Sequence, residues 1–259
     1  MTTVQPRRYG EGQGAGANSV LGKARLILEA FQLDDVDLSL SELARQTGIS
    51  KASVHRLAQE LLEWGMLERS GLEYRLGMRA FELGSRVPRF RVLRDAVRPL
   101  MEGLHFSTKE TVHLAVLDGL DVLYLEKVTG ARQATRPSRI AGRMPLHSTA
   151  TGKVLLAYGP PSLLDEVVDR GLERVTPVTI VLPGVLAEQL RGVRERQYAV
   201  EQEETTAGYT SVAVPLFGSS GMVLAALSLT APTFRADTAA FAAALTAVTR
   251  KIAASQQIN

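Results

Sequence analysis

Residues 39–64, SLSELARQTGISKASVHRLAQELLEW, decide how the chain is read. Ser39 can cap a backbone N–H, and Glu42 three residues later completes a capping box, so a helix opens at Leu40. It runs to Thr47 and stops at Gly48, since glycine adopts left-handed backbone at little cost. Ser50 caps a second helix from Lys51 to about Trp64, with Val54, Leu57, Leu61 and Leu62 inward and Gly65 ending it. The small Ala44 lets the two helices cross closely over a short turn, as in a helix-turn-helix. Ser50, Lys51, Ser53, His55, Arg56 and Gln59 are left outward, donors suited to phosphates and base edges. Spacing alone also fits an ordinary helix pair with a solvated polar face.

Working outward, Val20, Ala24, Ile27, Leu28 and Phe31 recur at helical spacing behind Ser19, until Asp34-Asp35-Val36-Asp37 breaks the pattern. Downstream, Met66–Leu76 predicts a hairpin with Leu67, Leu72, Tyr74 and Leu76 as apolar positions and Ser70-Gly71 at the turn. Helix, helix pair and hairpin together make a winged unit. Met78 to about Phe106 is helical again, interrupted at Val87-Pro88, and its many arginines mark it as a connector.

The chain has 259 residues, 45% hydrophobic and 22% charged, enough for two domains. Residues 1–98 hold 15 Lys and Arg against 12 Asp and Glu, and residues 99–259 hold 15 of each. The whole formal excess of +3 therefore sits in the first part, with the sign that a polyanion partner needs. With no cysteine in the sequence, disulfides, thiol nucleophiles and iron–sulfur clusters are excluded. Four histidines without His-Glu-x-x-His make a catalytic zinc improbable. No stretch is apolar for long enough to span a membrane, and residues 1–17 predict a flexible tail rather than a signal peptide. Gly10 to Gly16 lack the preceding strand that a dinucleotide site requires. A cytoplasmic protein is expected.

Beyond the connector, Thr111–Leu117 and Val122–Val128 flank Asp118-Gly119, and Ser211–Phe217 and Met222–Leu229 flank Gly218–Gly221. Both are hairpin patterns. Helices are predicted over Leu146–Tyr158, Ser162–Arg170, Pro183–Arg196 and Ala231–Ser255. Gly152-Lys153 fails as a phosphate loop, because His147 holds the first glycine's place and Val154 follows the lysine. Ser148 beside His147 lacks a third member and a nucleophile elbow. What survives is a helix start near Ala150 that fits either a small-anion site or a plain packed helix. Glu201, Glu203 and Glu204 read as a solvated acidic loop rather than as paired carboxylates for acid–base work. His113 reads as a hydrogen-bonded neighbour of the core, and His105 has no evident partner.

Leu40–Ile49 through Arg56-Leu57, Pro145–Lys153, and Gly208–Pro215 with Ala226–Thr230 together resemble the IclR-type bacterial transcription regulators. The first stretch is generic to winged helices, whereas the other two are specific in their order and distance. The resemblance spans about Ser19 to Ser255. It implies an α+β chain: an N-terminal winged helix-turn-helix, a linker helix used in dimerisation, and a C-terminal GAF-like α/β effector-binding domain. Such regulators bind double-stranded operator DNA as homodimers or dimers of dimers, and they answer to small organic or aromatic acids by controlling neighbouring catabolic genes. Carried onto this chain, the effector pocket would use backbone N–H groups at Ala150 and Thr151, the acid Glu201, polar Ser211, Ser228 and Thr230, and apolar walls at Met144 and Tyr209. Two positions depart from the family pattern: the acid is commonly Asp, and the position of Ser211 is often Cys.

The expected divisions are a tail over 1–17, a winged helix-turn-helix over 18–77, a linker helix over 78–97 and an effector domain over 98–259. No cofactor or metal is expected, and the chain is read as a regulator rather than an enzyme. The alternative is a small-molecule hydrolase using His147 and Glu201; a scaffold that merely dimerises is a third reading.

Overall fold

A computed structural model describes residues 18–31, 37–130 and 140–254. The expected tail, Gly10 to Gly16 and most of the aspartate-rich breaker lie outside these residues. Two compact units meet between Arg91 and Val92.

In the first unit, α1 (Val20–Glu29), α2 (Leu40–Thr47) and α3 (Lys51–Glu63) precede a hairpin of β1 (Leu67–Ser70) and β2 (Glu73–Leu76). The capping box forms: Ser39 Oγ accepts from the Glu42 amide at 3.3 Å, and the Glu42 carboxylate accepts from the Ser39 amide at 2.9 Å. The Ser39 hydroxyl also donates to the Glu42 carboxylate at 2.6 Å, and this bond together with the one from the Ser39 amide holds the Glu42 carboxyl below its usual range. Gly48 ends α2 at φ +69°. Ile27, Leu43, Val54, Leu57, Leu61, Leu67 and Tyr74 form the core. Leu38 joins the hairpin by a two-way backbone bridge to Tyr74, with N–O distances of 2.8 and 2.9 Å. Only half of the predicted apolar hairpin positions enter the core. Leu67 and Tyr74 are buried, while Leu72 is 90% exposed at the turn and Leu76, the last residue of β2, is also exposed. The turn itself is Gly71-Leu72, with Gly71 at φ +61°.

The interrupted helical region is two helices, α4 (Met78–Ser85) and α5 (Pro88–Thr108), broken beside Val87-Pro88 as the proline predicts.

The second unit carries a six-stranded antiparallel sheet in the order β5-β4-β3-β8-β7-β6. Its strands are β3 (Thr111–Asp118), β4 (Asp121–Val128), β5 (Arg143–Pro145), β6 (Ala199–Gln202), β7 (Tyr209–Phe217) and β8 (Val223–Pro232). Among the helices α6 (Ala150–Tyr158), α7 (Ser162–Arg170), α8 (Pro183–Arg196) and α9 (Thr238–Ala254), the first three share one core with Ala115, Val122, Ala213 and Ala226 of the sheet. α9 packs on β7 and β8 through a stripe of Phe241, Leu245, Val248 and Ile252 outside that core.

Three sequence expectations are corrected here. The helix expected from Leu146 starts at Ala150, because Arg143–Pro145 is an edge strand and Thr149 Oγ1 caps the Gly152 amide at 3.0 Å. The helix expected from Ala231 starts at Thr238: β8 is hydrogen-bonded on both sides and runs on to Pro232, and a 3-10 turn at Thr233–Arg235 follows. The solvated acidic loop is neither wholly loop nor solvated, since Glu201 lies in β6 and both Glu201 and Glu204 are buried.

The ladder between β3 and β4 carries one extra residue. Ala115 pairs with Tyr124 but Leu114 pairs with Glu126, leaving Leu125 unpaired as a bulge. Cross-strand partners share a face, so Tyr124 follows Ala115 and Glu126 follows Leu114 onto the opposite face. There Arg94 and Arg98 of α5 reach the buried Glu126 carboxylate at 3.6 and 3.5 Å.

Candidate functional site

Two polar surfaces stand out, one in each unit. On α3, Lys51, His55 and Arg56 are exposed, with Ser53 and Gln59 half-buried beside them. Ser50 Oγ accepts from the Ser53 amide at 3.4 Å and meets Ser53 Oγ at 3.0 Å, so the first turn is fixed by its own hydroxyls. Arg56 lies against Glu60 at 2.7 Å, both in water. All six residues singled out in the sequence thus fall on one helix and its cap. The chemistry is that of a row of donors on a rigid rod.

In the second unit the register builds a concave polar face. Glu201 pairs with Ser211, Ser211 with Thr230, Ala213 with Ser228, and Ser228 with His113. Small Ala115, Ala213 and Ala226 on that same face leave room under α6, and a cleft of about 500 Å³, partly open to solvent, results. The eight sequence-predicted positions come together there: Met144, Ala150 and Thr151 at β5 and the start of α6, Glu201 and Tyr209 at the facing edge, and Ser211, Ser228 and Thr230 on the floor. Also lining the cleft are His113, Tyr124, Thr149, Thr205 and Thr206, which the sequence reading left out of the site. Pairing the predicted strand Thr111–Leu117 against Ala226–Thr230 would have set His113 opposite Ser228. Tyr124 and the two threonines carry no comparable signal.

The polar groups are tied to one another. Ser211 Oγ and Thr230 Oγ1 are 2.9 Å apart, and the Tyr124 hydroxyl stands 3.4 Å from Thr151 Oγ1. His113 and Tyr124 rings pack tilted at 5.0 Å. The Thr205 amide donates to Glu201 Oε1 at 3.1 Å. Burial pushes the Glu201 carboxyl up to about 7, against the hydrogen bonds from Thr205 and Ser211. Burial likewise pushes the Tyr124 phenol up to about 12.

Behind the wall, Lys153 is 0% exposed and ion-pairs with Glu204 Oε1. Burial lowers the lysine's pKa, and Glu204 opposes that. Glu204's carbonyl in turn accepts from Thr179 Oγ1 at 2.7 Å. This anchors the segment that carries Thr205, Thr206 and Tyr209.

The hydrolase alternative fails on geometry. His147 is buried outside the cleft's lining, and its Nε2 is bonded to the Glu173 carbonyl oxygen at 2.9 Å. His105, for which the sequence offered no partner, has Nδ1 2.7 Å from the Glu110 carbonyl oxygen. Among the described residues no cluster of His, Asp and Glu suits a metal, and no helix is long and apolar enough to cross a membrane.

Two family models match the chain: the IclR helix-turn-helix domain over residues 20–71, and the C-terminal domain of the bacterial transcriptional regulator IclR over residues 89–257. The HTH-type transcriptional regulator XynR of Escherichia coli is 34% identical over 224 residues, 85% of this chain and 88% of that protein. The p-hydroxybenzoate hydroxylase transcriptional activator of Acinetobacter baylyi is 30% identical, covering 83% of this chain and 82% of that one. Among solved structures, an IclR homolog from Microbacterium hydrocarbonoxydans complexed with 4-hydroxybenzoate superposes with a TM-score of 0.87 at 30% identity, over 93% of this chain and 100% of that chain.

Proposed function

The chain belongs to the IclR family of bacterial transcriptional regulators, and from that premise we propose how its two polar surfaces divide the work. It is a helix-turn-helix, DNA-binding, effector-responsive regulator and not an enzyme. The outward row Ser50, Lys51, Ser53, His55, Arg56 and Gln59 enters the major groove of a double-stranded operator, with phosphate contacts setting register and base contacts giving specificity. Residues 18–77 act as the DNA-binding domain, 78–97 as the linker and 98–259 as the effector domain. The protein works in the cytoplasm as a homodimer or dimer of dimers on a palindrome near catabolic genes. Support for self-association comes from α4, which buries none of its residues and leaves Met78 and Phe81 well exposed.

The convergence of eight residues from three distant stretches on one cleft carries the effector reading. The first-turn amides at Ala150 and Thr151 suit a carboxylate. Met144, Tyr124 and Tyr209 offer walls for an apolar body, and Glu201 across the cleft suits a ligand hydroxyl. A hydroxylated organic or aromatic acid meets all three demands, and the relative that holds 4-hydroxybenzoate fits this reading. The test is a titration of DNA binding with candidate acids. Ser211→Leu fills the floor, so the acid then ceases to alter DNA affinity although the DNA complex still forms. An unimpaired response in the variant defeats the site.

A further inference from the structure

The cleft has an uneven charge balance. Among the described residues no lysine or arginine lines it, and Glu201 is the one acidic residue of the lining. Behind the wall, the ammonium of Lys153 of α6 is engaged by Glu204 from the segment after β6. Among the described residues, His113 from β3, Tyr124 from β4 and Tyr209 from β7 are the other titratable groups of the lining. Glu201 is 2% exposed, and its bonds run to Thr205 and Ser211, which are uncharged. A ligand carboxylate set against the α6 amides would bring a second negative charge into this enclosure, where like charges repel strongly.

We propose that the cleft takes its acid as anion plus proton: one proton passes from solvent to the Glu201 carboxylate as each ligand anion binds. This rests on the acid-effector reading above and deepens it. Once protonated, Glu201 keeps one oxygen for the Thr205 amide and gains an O–H that donates to an oxygen of the ligand. Lys153 does not substitute for the proton, because turning to Glu201 would strand Glu204, whose Oε2 is already buried without a hydrogen-bond partner. The ligand class narrows accordingly. Monocarboxylates bearing an acceptor oxygen fit, whereas dicarboxylates would demand a second proton.

The carboxyl's own titration near neutrality makes the uptake measurable. Below its free-protein pKa the proton is already present, and above it each ligand must bring one in. The affinity therefore falls as pH rises, by about tenfold in Kd between pH 6 and pH 8 for a free-state value near 7.

The experiment is calorimetric titration of the full chain with 4-hydroxybenzoate, 3-hydroxybenzoate and glycolate, in buffers of different ionisation enthalpy. Close to one proton taken up per ligand at pH 8, and little at pH 6, is the expected result. Binding at pH 8 without uptake overturns the proposal. Glu201→Gln should abolish uptake and flatten the pH profile, while Glu201→Asp should retain uptake. Full uptake in Glu201→Gln would overturn the assignment. Binding by none of the acids defeats the effector reading itself and this inference with it, an outcome distinct from binding without a proton.

Discussion

The outward row of α3 and the floor of the effector cleft are both lines of polar side chains on regular structure, yet water treats them oppositely. On α3 the charges stand in solvent, and its ion pair of Arg56 with Glu60 is exposed on both sides. Such a pair is held loosely and contributes about 0–1 kcal/mol. In the cleft and behind its wall each polar group leans on the next: Glu201 on Thr205, Ser211 on Thr230, Lys153 on Glu204. A solvated row consists of independent parts, each available to a partner at little cost in stability. An enclosed network acts as one part, and losing a member leaves another unsatisfied.

That contrast is open to direct attack. The largest effect belongs to Lys153→Met, which strands the buried Glu204 carboxylate and should cost about 3–5 kcal/mol in denaturant unfolding. Lys153→Met with Glu204→Met should recover most of that loss. A single variant within 1 kcal/mol of wild type would break the comparison. Next is Gly152→Ala in α6. An added Cβ would stand 2.2 Å from the Leu146 carbonyl oxygen and 2.6 Å from Leu146 Cα. The helix start must shift, lowering stability by about 1–3 kcal/mol and weakening the acid response in a DNA-binding titration. On the solvated side, Arg56→Ala should leave thermal stability within about 0.5 kcal/mol. Binding to the protein's own upstream DNA should weaken by about 1–3 kcal/mol, with one operator position relaxed. A uniform loss across all sequences with a flatter salt slope would make Arg56 a phosphate contact instead. The smallest effect is a gain. Gly84→Ala in α4 meets no atom within 4 Å and should raise stability by about 0.5–1 kcal/mol.

The same division explains what was legible in the sequence. Ser39, Glu42, Gly48 and Ser50 act on neighbours within four residues, so the helix pair and its outward face follow from one short stretch. Glu201 and Glu204 sit among polar residues, and nothing local announces their burial. It comes from pairing with Ser211 and from a lysine 51 residues away from Glu204. The eight cleft positions were reached through resemblance to a family, whereas Tyr124, Thr205 and Thr206 needed coordinates. β5 is three residues long, too short for a period-2 pattern to register. Ala231 and Pro232 prolong a strand because β3 and β7 bond to β8, which overrides an alanine-rich composition.

The bulge at Leu125 sets what kinds of genetic change this strand can absorb. Replacing Tyr124 with another residue alters the cleft and leaves Glu126 with Arg94 and Arg98. Deleting Leu125 closes the ladder up: Tyr124 and Glu126 become consecutive, still opposite Ala115 and Leu114 and so still on opposite faces. Glu126 keeps its side of the sheet, and with it Arg94 and Arg98. The spare residue is slack in the strand, so ligand preference along β4 is open to point substitution and to the loss of this one residue alike. A lineage could retune the effector here one side chain at a time, or shorten the strand at the bulge, without giving up the hold on α5.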